Sequence, residues 1–107
     1  MNDDVLASHL QELRRGTVVM AALATLTRPT YGYALLEELA AAGFAVDGNT
    51  LYPLLRRLEK QGLLTSEWNT EESRPRKFYR CTPEGEALLT ALLDEWQSLH
   101  TSIERLR

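Results

Sequence analysis

Apolar residues recur along the chain with two different periods, and the changes of period mark out its elements. From Asp3 or Asp4 onward, Leu6, Leu10 and Leu13 follow helical spacing. Gly16 interrupts the run, and Val18, Val19, Met20, Leu23 and Leu26 resume it. This predicts one long helix with a weak point at Gly16, or two helices, ended by Arg28 and Pro29. Thr30 is the expected N-cap of the next helix, residues 31 to about 42, with a stripe of Leu35, Leu36 and Leu39 and Gly43 as its stop. After a connector over residues 44–48, a third helix is expected from Asn49 or Thr50 to Gln61. Its Leu51, Leu54, Leu55 and Leu58 form the i, i+3, i+4, i+7 set of a core-facing stripe. Pro53 is expected in its first turn, where a missing N–H does least harm, and Gly62 ends it.

The period then shortens to two. Residues 64–69, with Trp68, and residues 76–81 read as short strands around the polar loop 70–75. In the second strand Tyr79 and Cys81 share one face, Phe78 and Arg80 the other. Thr82 and Pro83 are a capping hydroxyl and a first-turn proline, opening a helix that can run to about Leu106, roughly 36 Å at 1.5 Å per residue. The resulting fold class is mainly α with a small β-hairpin: a winged helix-turn-helix over residues 1–82, followed by a long C-terminal helix over residues 83–107.

Length and composition fit this plan. A chain of 107 residues is one domain's worth. At that size only roughly two-thirds of the unfolded surface is buried, so a partner subunit would add to stability. No apolar run approaches the ~20 residues needed to span a bilayer, so no membrane partner is expected. The acidic start, Asn2-Asp3-Asp4, has no apolar stretch behind it and predicts no secretory signal. The lone Cys81 cannot form an internal disulfide, which suits a cytoplasmic setting.

Net charge is −3, but it is unevenly placed. Between Gly48 and Thr82 seven Lys/Arg stand against four Asp/Glu, leaving +3, while the stretches before and after each carry −3. Positive charge is confined to the third helix and the hairpin, and a local footprint is what matters to nucleic acid.

With the four leucines inward, Tyr52, Pro53, Arg56, Arg57 and Lys60 are expected to point away from the core. Asn49, Thr50 and Tyr52 would put hydrogen-bonding groups near the helix N-terminus, within reach of base edges; Arg56, Arg57 and Lys60 would hold phosphates. The alternative for this helix alone is an ordinary solvated face. Arg74, Arg76 and Lys77 put three cations in four residues at the hairpin tip, with Arg80 further down, and Pro75 stiffens the loop. A basic tip beside a basic helix gives a two-point grip on a duplex. A charged edge that discourages aggregation explains Lys77 but not the cluster.

On the last helix, Leu89, Leu92, Trp96, Leu99, Ile103 and Leu106 are spaced 3, 4, 3, 4, 3, a heptad seam widened by Leu88 and Leu93. With the domain core already supplied, such a seam would lie exposed on a monomer, and a homodimer covers it. The Leu6, Leu10, Leu13 stripe of the first helix is its natural companion. The alternative is a helix folded back on its own domain. Trp96 reads first as a dimer-core side chain; two such residues across a two-fold axis would also form an aromatic wall suited to a flat ligand.

Other chemistry is sparse. His9 and His100 have no neighbouring Cys/His cluster, so neither a metal site nor a cofactor is expected. Cys81 reads as a small core residue, with redox sensing as the alternative. Without a phosphate-binding glycine loop, nucleophile elbow or paired catalytic carboxylates, the sequence is not that of an enzyme.

Taken together, five stretches resemble the PadR family of transcriptional regulators: Pro29-Thr30-Tyr31-Gly32-Tyr33, Asn49-Thr50-Leu51-Tyr52-Pro53-Leu54-Leu55-Arg56-Arg57-Leu58-Glu59, Gly62-Leu63-Leu64, Pro75-Arg76-Lys77-Phe78-Tyr79 and Thr82-Pro83-Glu84-Gly85. They follow the family's order and spacing from about Gly16 to Gly85. The resemblance implies a bacterial or archaeal dimeric repressor of the short subgroup, in which one C-terminal helix completes the dimer. It also implies that phenolic acids or planar aromatic drugs can release DNA from some relatives. It places Tyr31 near phosphate, Thr50, Tyr52 and Pro53 at the DNA-facing end of the third helix, and Arg74, Arg76 and Lys77 in the wing. The chain departs from the family's pattern in having Asn49 between Gly48 and Thr50, and Cys81 where leucine is usual. Asparagine is a good N-cap, so the helix start should survive. The function expected is binding of a palindromic operator by a homodimer, with release by a small effector, for which a planar aromatic is the candidate the resemblance offers. The competing reading is a winged-helix module that binds protein rather than DNA.

Overall fold

The computed structural model describes residues 1–71 and 73–107; Glu72, part of the polar stretch expected from the sequence to be a loop, lies outside them. Five helices and three strands follow in the order α1 (Asp3–Arg14), α2 (Thr17–Thr25), β1 (Thr30–Tyr31), α3 (Gly32–Ala41), α4 (Gly48–Lys60), β2 (Leu64–Asn69), β3 (Arg76–Cys81) and α5 (Pro83–Leu106).

Gly16 does split the N-terminal helical region in two. The Asn2 side chain caps α1 by accepting from the Asp4 N–H, with Asp3 and Asp4 in the first turn and Arg14 in the last, charges that match the helix dipole. α2 is almost wholly apolar and sends Ala22 and Leu23 into the core, followed by Leu26.

Two expected caps are corrected. Thr30 does not cap α3: it is buried in β1, pairs with Tyr79, and its hydroxyl donates to the Arg28 carbonyl. The N-cap residue is Tyr31, without a side-chain capping bond. Nor does Asn49 cap α4. The Asp47 carboxylate accepts from the Thr50 N–H at 2.9 Å, so the helix begins at Gly48. That earlier start moves Pro53 out of the first turn into the helix interior, where it cannot donate to the Asn49 carbonyl.

α3 and α4 end alike. Gly43 (φ +98°) and Gly62 (φ +79°) take the left-handed conformation. The next residues return their N–H groups to the helix: Phe44 to the Leu39 carbonyl and Leu63 to the Leu58 carbonyl. Both are Schellman stops.

The core lies where α2, α3, α4 and the sheet meet. It is built from Leu23, Leu26, Leu35, Leu39, Leu51, Leu54, Leu55, Leu58 and Leu64, closed by Tyr79 and Cys81 from β3. The sheet is antiparallel in the order β1-β3-β2, so β3 is its central strand. β1, which sequence periodicity does not reveal, joins the start of α3 to the wing through the pairs Thr30–Tyr79 and Tyr31–Phe78.

α5 starts under strict control. The Thr82 hydroxyl accepts from the Gly85 N–H and donates to the Gly62 carbonyl. A Cβ on the buried Gly85 would lie 2.1 Å from the Leu63 carbonyl oxygen. The heptad seam divides in two. Leu88, Leu89 and Leu92 pack partly buried against their own core, which corrects their expected place on an exposed seam. Leu93, Trp96, Leu99, Ile103 and Leu106 are exposed.

Candidate nucleic-acid interface

α4 stands on the core through its leucines and turns Asn49, Thr50, Pro53, Arg56, Arg57 and Lys60 to solvent, as expected. Tyr52 is the exception. Its ring is half-buried, wedged between the starts of two helices. A Cβ at Gly32 would come within 2.6 Å of its Cε1, and one at Gly48 within 3.0 Å of its Cε2. The two glycines are small because this ring occupies the space, and the ring sets the first turn of α3 against that of α4. Tyr52 therefore packs between helices rather than projecting from the surface.

The wing is anchored on both faces. On one, the Tyr31 hydroxyl accepts from Asn69 Nδ2 at 2.9 Å, its ring meets Phe78 edge-on at 5.8 Å, and the Arg76 guanidinium lies 5.5 Å from its centroid. Tyr31 thus joins the start of α3 to both strands of the hairpin. On the other face, Glu59 of α4 accepts a hydrogen bond from the Ser66 hydroxyl with one carboxylate oxygen. Its second oxygen lies 4.0 Å from Lys77 Nζ. Lys77 also sits 5.4 Å from the Tyr79 centroid, so its ammonium is held at the helix–wing junction. Arg74 is exposed in the loop.

The cations of this segment stand on α4 and on both faces of the wing: Lys77 on the face toward α4, Arg76 on the face toward Tyr31, and Arg56, Arg57 and Lys60 exposed on the helix. Four contributors were not singled out from the sequence. Glu59 is three residues beyond Arg56, a spacing that puts both on one helix flank, but its strand partner is invisible without the register. Ser66, Asn69 and Phe78 become contacts only once β2, β3 and β1 are aligned.

Cys81 is buried, and its thiol donates to the Leu23 carbonyl at 3.3 Å. Burial, and then the charge of Glu86, push the thiol up from its ordinary range. A group with less thiolate is a poorer nucleophile, which favours the packing reading over redox sensing. The phenol of exposed Tyr33 is also raised, by its hydrogen bond to Glu37 and by that carboxylate's charge.

Three helices followed by a hairpin wing define a winged helix-turn-helix protein, the plan of many gene-regulatory proteins. Residues 19–91 match the Transcriptional regulator PadR-like family, and the chain belongs to it. This is a family of transcription factors, not enzymes. The fold is similar to the crystal structure of a PadR family transcriptional regulator from Eggerthella lenta DSM 2243, with TM-score 0.93 and 50% identity over 97% of this chain and 93% of that one. It also resembles a PadR-like transcription factor from Bacteroides fragilis, with TM-score 0.77 and 30% identity over 94% and 99% of the two chains. Over 60 residues the sequence is 48% identical to the transcriptional regulator Rv3488 of Mycobacterium tuberculosis, a stretch that spans 56% of this chain and 56% of that protein.

Proposed function

We propose that the chain acts in the cytoplasm as a homodimer that binds a palindromic operator and represses, and that a small effector releases it. The observation that carries this reading is the division of one molecule into two unlike surfaces. One is the basic face of α4 and the wing. The other is the bare apolar face of α5, with Trp96 54%, Leu99 53% and Ile103 61% exposed. Side chains of this kind each contribute roughly 1.5–3 kcal/mol when fully buried, a strong drive for α5 to pair with a second copy. On α1, Leu6 and Leu13 are exposed and Leu10 is half-exposed, a second apolar stripe that a partner copy would cover.

In this reading residues 1–82 bind DNA and residues 83–107 dimerise. Asn49, Thr50 and Pro53 face the bases at the start of α4, and the half-buried Tyr52 holds that start against α3. Arg56, Arg57, Lys60, Arg74, Arg76 and Lys77 take phosphates, with Tyr31 beside the backbone. Two such surfaces about 34–36 Å apart would read successive major grooves. Trp96 from each copy would flank an effector site of planar aromatic character. Binding there would change the angle between the two winged domains and spoil the half-site spacing, so ligand and operator would exclude one another.

The test is titration of labelled duplex from the gene's own upstream region, with scrambled duplex as control, across a range of salt. With about four phosphate contacts per subunit, the log–log slope for a dimer is expected near −7 at ~0.9 per contact. No binding to either duplex at low salt would overturn the reading in favour of a protein-binding module.

A further inference from the structure

β2 leaves the core at Leu64, and its alternate residues Leu64, Ser66 and Trp68 share one face. That face turns to α4, because Ser66 meets Glu59 there. Exposure grows along it: Leu64 is buried, Ser66 half-buried, and Trp68 63% exposed. Trp68 pairs in register with Lys77, so indole and ammonium lie side by side on the same face. One turn before Glu59, on the same flank of α4, stands the exposed Arg56. At the helix–wing junction Glu59 holds Ser66 and Lys77, Arg56 stands one turn away on α4, and Trp68 of the wing belongs to no core cluster of the described residues.

A large indole in that place adds little to the fold. Thr65 and Glu67, its neighbours on the opposite face, show that exposed positions of this strand are served by polar side chains. An aromatic body with a polar N–H tip suits a surface that is apolar and charged by turns. The segment that carries it is the positively charged part of the chain. A sugar–phosphate strand has both qualities, offering deoxyribose to the ring and phosphate oxygen to the N–H.

We propose that Trp68 is a DNA-contacting residue of the wing, its indole packed against the deoxyribose–phosphate strand that crosses the junction of α4 and the hairpin, with Arg56 and Lys77 on the flanking phosphates. The inference rests on the operator-binding reading above and adds to it a contact that displaces no counterion.

The experiment labels the full chain with 5-fluorotryptophan, giving one fluorine signal each for Trp68 and Trp96, assigned from the spectrum of Trp68→Phe. Titration with the upstream duplex is expected to shift the Trp68 signal. Trp68→Ala is expected to weaken duplex binding about tenfold with the salt slope unchanged. Arg56→Ala should instead lower the slope by about one contact's worth. A Trp68 signal that stays put while wild-type protein saturates with duplex would overturn the proposal. So would wild-type affinity in Trp68→Ala alongside a loss in Arg56→Ala. If wild-type protein binds no duplex at low salt, the operator-binding reading fails, and this inference falls with it. The fluorine measurement uses the native fold, so it decides the matter even if the alanine variant is unstable.

Discussion

Tyr52 shows how a side chain that helical spacing assigns to the outer flank can serve packing instead. Its ring fills the gap between Gly32 and Gly48, where α3 and α4 begin. Adding a methyl at Gly32 forces the ring out or the helices apart. Gly32→Ala is therefore expected to cost about 1–3 kcal/mol of stability, measured by thermal or urea unfolding. The cause can be isolated with a double-mutant cycle. In a Tyr52→Ala background the same Gly32→Ala change should cost far less, because the atom it meets is gone. Equal cost in both backgrounds would mean that a contact other than the ring keeps glycine there. The motif containing Tyr52 was legible in the sequence, but the direction of its ring was not. Helical spacing assigns a side chain to a flank, and a flank beside another helix can be half-buried.

At the scale of elements, most of the architecture follows from local chemistry. The leucines of α4 alternate at helical spacing, the two Schellman stops use the expected glycines, and Thr82 and Pro83 open α5 as read. Structure and sequence pattern part where a cap can fall on any of several nearby residues. Asp47, Asn49 and Thr50 can all cap, and the Asp47 carboxylate takes the Thr50 N–H. β1 is only two residues long, too short for any period, and it exists because β3 offers it an edge. The start of α5 makes a sharper test. Gly85 meets a backbone carbonyl, which cannot swing aside as a side chain can. Gly85→Ala is expected to destabilise by more than Gly32→Ala, about 2–4 kcal/mol, with a matching fall in melting temperature. A change below about 0.5 kcal/mol would show that α5 can shift relative to the wing without cost.

For the whole molecule, the decisive feature is the split of α5. Its first part completes the domain core through Leu88, Leu89 and Leu92, and the rest carries its apolar residues into solvent. In the proposed homodimer this second part forms the interface. Ile103→Glu places a charge there without touching the core, and so should leave the domain folded while the protein sediments as a monomer. Operator affinity should then fall steeply, because two half-sites no longer bind as one unit. A variant that remains dimeric by analytical ultracentrifugation would place the interface elsewhere, with α1 as the next face to test.

The sequence by itself determined the helix and strand periods, the confinement of positive charge to residues 48–82, and the order of motifs shared with the PadR-like family. These are properties of near neighbours along the chain, and local spacing encodes them. Only the tertiary structure decided which way Tyr52 turns, that Tyr31 and Glu59 anchor the wing from opposite faces, and which part of the α5 seam the domain keeps for itself. Each depends on contacts between residues far apart in sequence, such as Tyr31 with Asn69 or Gly85 with Leu63. No local pattern records such pairs, because their geometry is set by how the elements pack.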